Sequence, residues 1–164
     1  MPTSTSLVAS YAPGADRTGF AFWLGMEFTP TADVTYNKIG MRCATGNSGP
    51  YTVGVYSGPD QSTVIQSATV DLTGATVGNF YYTSMPGLKL SGGVPYFLYA
   101  TYAPSDNWAD TGPTALRNAT GVVSAYTWAS GPGTTTADQQ YAGVDLDYVA
   151  STGGTVDLVG NFAV

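Results

Sequence analysis

Histidine is absent from the chain. With it go a Ser-His-Asp triad, a Cys-His pair and any His-ligated metal. Neither GxGxxG nor GxxxxGK[ST] occurs, so a nucleotide site has no support. Carboxylates are what remain for acid–base work. A glycosidase needs two of them about 5–9.5 Å apart. Asp145 and Asp147 alternate with Val144, Leu146 and Tyr148, and a strand would hold them on one face about 6.6 Å apart. That spacing permits a pair. The plainer reading is an outer strand with both aspartates in solvent and the apolar residues in the core. Glu27, the only glutamate, falls on the same alternation face as Trp23. These residues do not make a catalytic set, and the expectation is a protein without enzymatic activity.

Other side chains bear on binding. Asp106, Asn107 and Asp110 share one polar stretch, and loop oxygens of this kind can hold calcium. The stretch lacks the glycine and spacing of a known calcium loop, so a solvated turn is the simpler reading. No metal or cofactor is expected. Trp108 sits in the same stretch. One reading makes it an aromatic platform for a sugar, with Asp106 and Asn107 as polar partners and Tyr102, Trp128 and Tyr141 joining from neighbouring strand ends. The other folds it back as a plug over the end of the core. Cys43 is the only cysteine, which excludes an intrachain disulfide. It alternates with Ile39 and Met41 while Lys38 and Arg42 face away, which predicts a buried, reduced thiol.

The elements that must position these residues read as strands. Val94 to Ala103 is the longest apolar and aromatic run, bounded by Ser91-Gly92-Gly93 and Pro104-Ser105-Asp106-Asn107. Val94, Tyr96, Leu98, Ala100 and Tyr102 fall on one face; Phe97, Tyr99 and Thr101 fall on the other. Two apolar faces predict a central strand. Phe20, Phe22, Leu24, Met26 and Phe28 form the cleanest alternating series. Further strands are predicted around Leu7–Tyr11, Ile39–Cys43, Tyr51–Val55, Ala68–Leu72 and Val144–Tyr148. Another starts at Phe80 and ends near Pro86-Gly87. Residues 104–119 read as a long polar segment, followed by a strand from Val122 to Trp128. No helical period is sustained. The pattern predicts a single all-β domain over residues 1–164, an antiparallel, jelly-roll-like β-sandwich of about ten short strands.

Charged residues make up only 10% of the 164 residues, with a net charge of −6. Soluble proteins usually carry roughly 25%. No basic block exists for nucleic acid, and no apolar run is long enough to insert in a membrane. The first residues show neither a basic region nor an apolar stretch of a signal peptide.

Several segments together resemble an uncharacterised β-sandwich domain found in large bacterial surface and glycan-associated proteins. They are Leu24-Gly25-Met26-Glu27-Phe28 with Val34 and Ile39-Gly40, then Gly49-Pro50-Tyr51-Thr52-Val53-Gly54-Val55-Tyr56 with Val64-Ile65 and Ala68. Leu90, Gly93-Val94-Pro95-Tyr96-Phe97-Leu98 and Tyr102-Ala103-Pro104 follow, and Val144-Asp145-Leu146 closes the set. The resemblance spans about residues 20–150. It implies a jelly-roll-like sandwich in an extracellular setting and carries over no catalytic residues. The expectation is that this chain departs from the family in lacking a leader and neighbouring domains. It also adds residues 151–164, where Val156, Leu158 and Phe162 suggest a further strand available for assembly.

An extracellular look without a leader is reconciled by a virion protein, made and assembled inside the host cell. The expectation is therefore a virion structural or attachment protein, a phage capsid decoration or tail-associated module. Its partners would be copies of itself or other virion proteins, with a cell-surface glycan as a further ligand. The alternative is a carbohydrate-binding module from a secreted bacterial enzyme or adhesin, at the bacterial surface or outside the cell.

Overall fold

The computed structural model describes residues 4–11, 15–17, 22–58, 63–109, 113–116, 119–128, 134–136 and 143–149. Every regular element among them is a strand. In chain order these are β1 Ser4–Ser6, β2 Val8–Tyr11, β3 Asp16–Arg17, β4 Phe22–Pro30, β5 Val34–Arg42, β6 Pro50–Tyr56 and β7 Val64–Asp71. After them come β8 Phe80–Leu90, β9 Tyr96–Tyr102, β10 Trp108–Ala109, β11 Pro113–Leu116, β12 Ala119–Trp128, β13 Thr134–Thr136 and β14 Val144–Val149. A four-stranded sheet runs β1-β14-β5-β8, and a six-stranded sheet runs β13-β12-β4-β9-β6-β7. All their pairings are antiparallel. Two short ribbons, β10-β3 and β11-β2, complete the described pairings.

The alternation that makes each strand also builds the core. Leu24, Met26 and Phe28 of β4, Val53 and Val55 of β6, and Leu98 and Ala100 of β9 point inward from the larger sheet. Tyr36, Ile39 and Met41 of β5, Met85, Leu88 and Leu90 of β8, and Val144 and Leu146 of β14 meet them from the smaller one. One apolar cluster thus lies between two sheets, which defines a β-sandwich. The chain passes between sheets at β4 to β5, β5 to β6, β7 to β8 and β8 to β9, a jelly-roll-like winding.

The expected central strand is central, with β4 on one side and β6 on the other. Its start needs correction. Val94 is 42% exposed and precedes the strand, which begins at Tyr96. Gly93 turns the chain there with φ of 76°, its amide on the Pro30 carbonyl at 2.8 Å, and Pro95 has no amide to give a ladder. Thr101 is exposed, so only Phe97 and Tyr99 of the outward set are covered. They pack with Tyr56 and Trp23 in a second, smaller cluster.

Other boundaries also move. β8 does not end near Pro86 but runs through it to Leu90. β8 is an edge strand, and its register with β5 shifts between Tyr36 and Lys38, so the proline is tolerated where the ladder is already interrupted. The segment from Pro104 to Ala119, read as loop, contains β10 and β11. Fourteen strands are described where about ten were expected; the extra ones are mostly two to four residues long. Residues 151–164, with the suggested strand of Val156, Leu158 and Phe162, lie outside the described residues.

Candidate functional site

β14 is not an outer strand. It lies between β1 and β5, and its aspartates are buried rather than solvated: Asp145 is 1% exposed and Asp147 7%. The register explains how. Asp145 pairs with Gly40 of β5, and Gly40 pairs with Tyr82 of β8. With no side chain on Gly40, the Tyr82 ring lies across it; a Cβ there would stand 2.5 Å from the ring. The Tyr82 hydroxyl thereby reaches Asp145 and donates to Oδ2 at 2.6 Å. Ser6 Oγ donates to the same oxygen, while the amides of Val8 and Leu146 donate to Oδ1 at 2.9 Å. Asp147 forms an ion pair with Lys38 at 3.4 Å.

Burial raises the pKa of Asp145, and the donors from Ser6, Tyr82, Val8 and Leu146 pull it back in part. The Tyr82 phenol is pushed well above its ordinary value by burial and by the Asp145 charge. A carboxylate holding four donors is committed to structure. It ties β1, the start of β2 and β8 to one strand. Arg42 also departs from expectation. Its side chain is largely covered and lies 3.4 Å from Asp16 of β3. Glu27 sits on the outer face of the larger sheet, opposite Phe97, and partial burial raises its pKa.

Of the residues expected around Trp108, Tyr102, Asp106 and Asn107 are described, and they do not form a platform with it. Trp108 is 8% exposed and belongs to the main core cluster. It pairs with Arg17 in the β10-β3 ribbon, and the guanidinium lies 5.9 Å from the ring centre. The plug reading is the one observed. Tyr102 is likewise a core residue, its ring 6.1 Å from that of Tyr51. Asp106 is a brace: one carboxylate oxygen takes the Tyr51 hydroxyl at 3.0 Å and the other the Ala103 amide at 2.6 Å. Burial and Asp106 together push the Tyr51 phenol well above its ordinary value, so it stays protonated. Asn107 and Asn47 exchange side-chain and backbone hydrogen bonds at 2.7 Å each, and the Asn107 amide also donates to the Thr45 carbonyl. The loop after β5 and the loop after β9 are thereby locked together.

Trp128 lies in β12, opposite Phe22 by backbone pairing. Its side chain, together with Tyr141 and the calcium candidate Asp110, lies outside the described residues. Among the described residues no group of three acidic or thiol side chains converges as a metal site. Cys43 is buried in the core, and burial raises its thiol pKa.

What the braced loops leave open is a cleft of about 350 Å³ at this end of the sandwich. Its lining includes Ser48, Tyr51, Thr52, Thr101, Tyr102 and Asp106. Tyr102 and Asp106 were expected at a binding site; the hydroxyl residues were not singled out. The available signal was their alternation, since Thr52 and Thr101 face away from Val53 and Ala100.

Comparison of the chain with known protein families and with curated proteins finds no family model and no curated protein that matches.

Proposed function

We propose that this chain is a non-catalytic β-sandwich module that works through its surface, as a virion structural or attachment protein of the capsid-decoration or tail-associated kind. The observation that carries the non-catalytic part is the occupation of Asp145 by Ser6, Val8, Tyr82 and Leu146. The one spacing in the sequence suited to carboxylate chemistry is used to fasten strands.

A surface role draws its support from what is exposed. With 10% charged residues, little ionic hydration opposes burying a face against a neighbour. Val64 and Ile65, 53% and 40% exposed, open β7, an edge strand of the larger sheet. Val64 pairs with Tyr56, which pairs with Phe97, so β7 and β9 begin at the same end, where exposed Val94 also lies. Such an apolar end suits contact with a copy of the chain or with another virion protein. Immunogold labelling of virions with an antibody to this chain tests the reading. Label on the capsid or tail supports it; particles that form fully and carry none refute it.

A carbohydrate-binding module of a secreted enzyme or adhesin is the second reading. The hydroxyl-lined cleft beside the braced loops favours it.

A further inference from the structure

We infer that the cleft at the shared end of β6 and β9 is a subsite for a neutral saccharide, with Trp23 beside its Thr101 edge on the same sheet face. The inference rests on the reading of the chain as a non-catalytic binding module and gives that module a ligand class. Thr101 pairs with Trp23 of β4, so the two side chains stand side by side on the outer face of the larger sheet. Thr101 is exposed and Trp23 half-buried against the Tyr56, Phe97 and Tyr99 cluster, which fixes the indole from behind. Thr52 faces outward from β6 and lines the same cleft, as does Ser48 from the loop.

The chemistry narrows the ligand. Hydroxyls of Ser48, Thr52 and Thr101 each donate one hydrogen bond and accept two, which matches the groups of a sugar. Asp106 adds acceptor capacity, because each of its oxygens holds one protein donor and retains a lone pair. Among the described residues no lysine or arginine lines the cleft, so none of them offsets an anionic ligand against Asp106. A neutral polyhydroxyl compound fits better than a uronic or sialic acid. The partly exposed Trp23 indole beside the cleft suits the C–H face of a sugar ring. The volume of about 350 Å³ lies near the lower end of ligand pockets, about 300–1,000 Å³, and suits a short segment of a glycan. The walls are set before binding, because Asn47 and Asn107 lock the two loops together, so little ordering remains to oppose association.

The test is a titration of the isotope-labelled protein with short neutral cello-, malto- and galacto-oligosaccharides at millimolar concentration, followed by amide and indole shifts. The Trp23 indole signal is assigned by its loss in Trp23→Phe. One of these sugars should shift that signal and the amides of Thr52, Thr101 and Ala103. Thr101→Val and Thr52→Val should each weaken its binding about tenfold at unchanged melting temperature, and Ser48→Ala, on the loop, provides a variant outside the strands. The inference is overturned if none of the sugars shifts these signals. It also fails if all three variants bind as the native protein does, or if an oligogalacturonate binds more tightly than the neutral sugars. Failure here, with the antibody still labelling virions, removes the saccharide site and leaves the surface role standing.

Discussion

Removing the carboxylate of Asp145 would take this acceptor from Val8, Tyr82 and Leu146, while Ser6 Oγ keeps the Val8 carbonyl at 2.9 Å. Asp145→Ala should cost about 2–4 kcal/mol in urea unfolding, because buried donors left unpaired lose water without regaining a partner. The same residue sets a pH dependence. Burial holds its folded pKa above the unfolded one, so the folded state binds the proton more tightly. Its contribution to stability is fully present below the unfolded pKa and is lost as pH rises through the folded pKa. The melting temperature of the native protein relative to Asp145→Asn should therefore fall on raising the pH through that window; a difference that grows instead contradicts the assignment. Asp16 acts in the opposite sense. Burial pushes its pKa up, but hydrogen bonds from Thr45 and the Arg42 charge hold it below the ordinary value, so its contribution is lost on acidification. The sequence placed Asp145 on a strand face correctly but put that face in solvent. Alternation shows which residues share a face; it does not show that Gly40 will let a tyrosine from the next strand lie over it. Cys43 was legible for the converse reason, since its neighbours in the alternation are apolar and its own face is the core.

At the scale of elements, β9 carries the sheet. Leu98 is fully buried between Met26 and Val55 in register, and Leu98→Ala should destabilise by about 2–5 kcal/mol. A melting temperature within a degree or so of the native protein would show that the site is not core. Gly40→Ala should cost about 1–3 kcal/mol, because its Cβ would meet the Tyr82 ring and the Tyr81 carbonyl and push the phenol off Asp145. If Tyr82→Phe already removes most of that loss, the effect runs through the Tyr82–Asp145 bond; an undiminished loss locates it in the backbone clash. Long alternating strands such as β4, β6 and β9 were readable because burial on one or both faces dictates their composition. β3, β10 and β11 were not, because strands of two to four residues are held by their partners more than by a pattern of their own. Trp108 shows the consequence. Its neighbours Asp106 and Asn107 made the stretch look like a solvent loop, whereas pairing with Arg17 seats the indole in the core.

The described residues form a sandwich with two cross-braced loops, in a chain that carries little charge. Its architecture was legible from turn spacing and alternation; its cleft was not, because Thr52 and Thr101 come together only when β6 and β9 are placed side by side. Self-association is expected through the apolar start of β7. Light scattering during gel filtration should report an oligomer for the native chain and a smaller species for Ile65→Lys, with circular dichroism unchanged; a native monomer at high concentration would place the contact with another protein instead. The non-catalytic proposal assigns the carboxylates of β14 to fastening strands rather than to chemistry. Release of reducing ends from a panel of bacterial and plant polysaccharides, by the purified protein, measures it most directly. The expected result is no release above that of a heat-denatured control. Sustained release that disappears in Asp145→Asn or Asp147→Asn, with both variants folded, would contradict it.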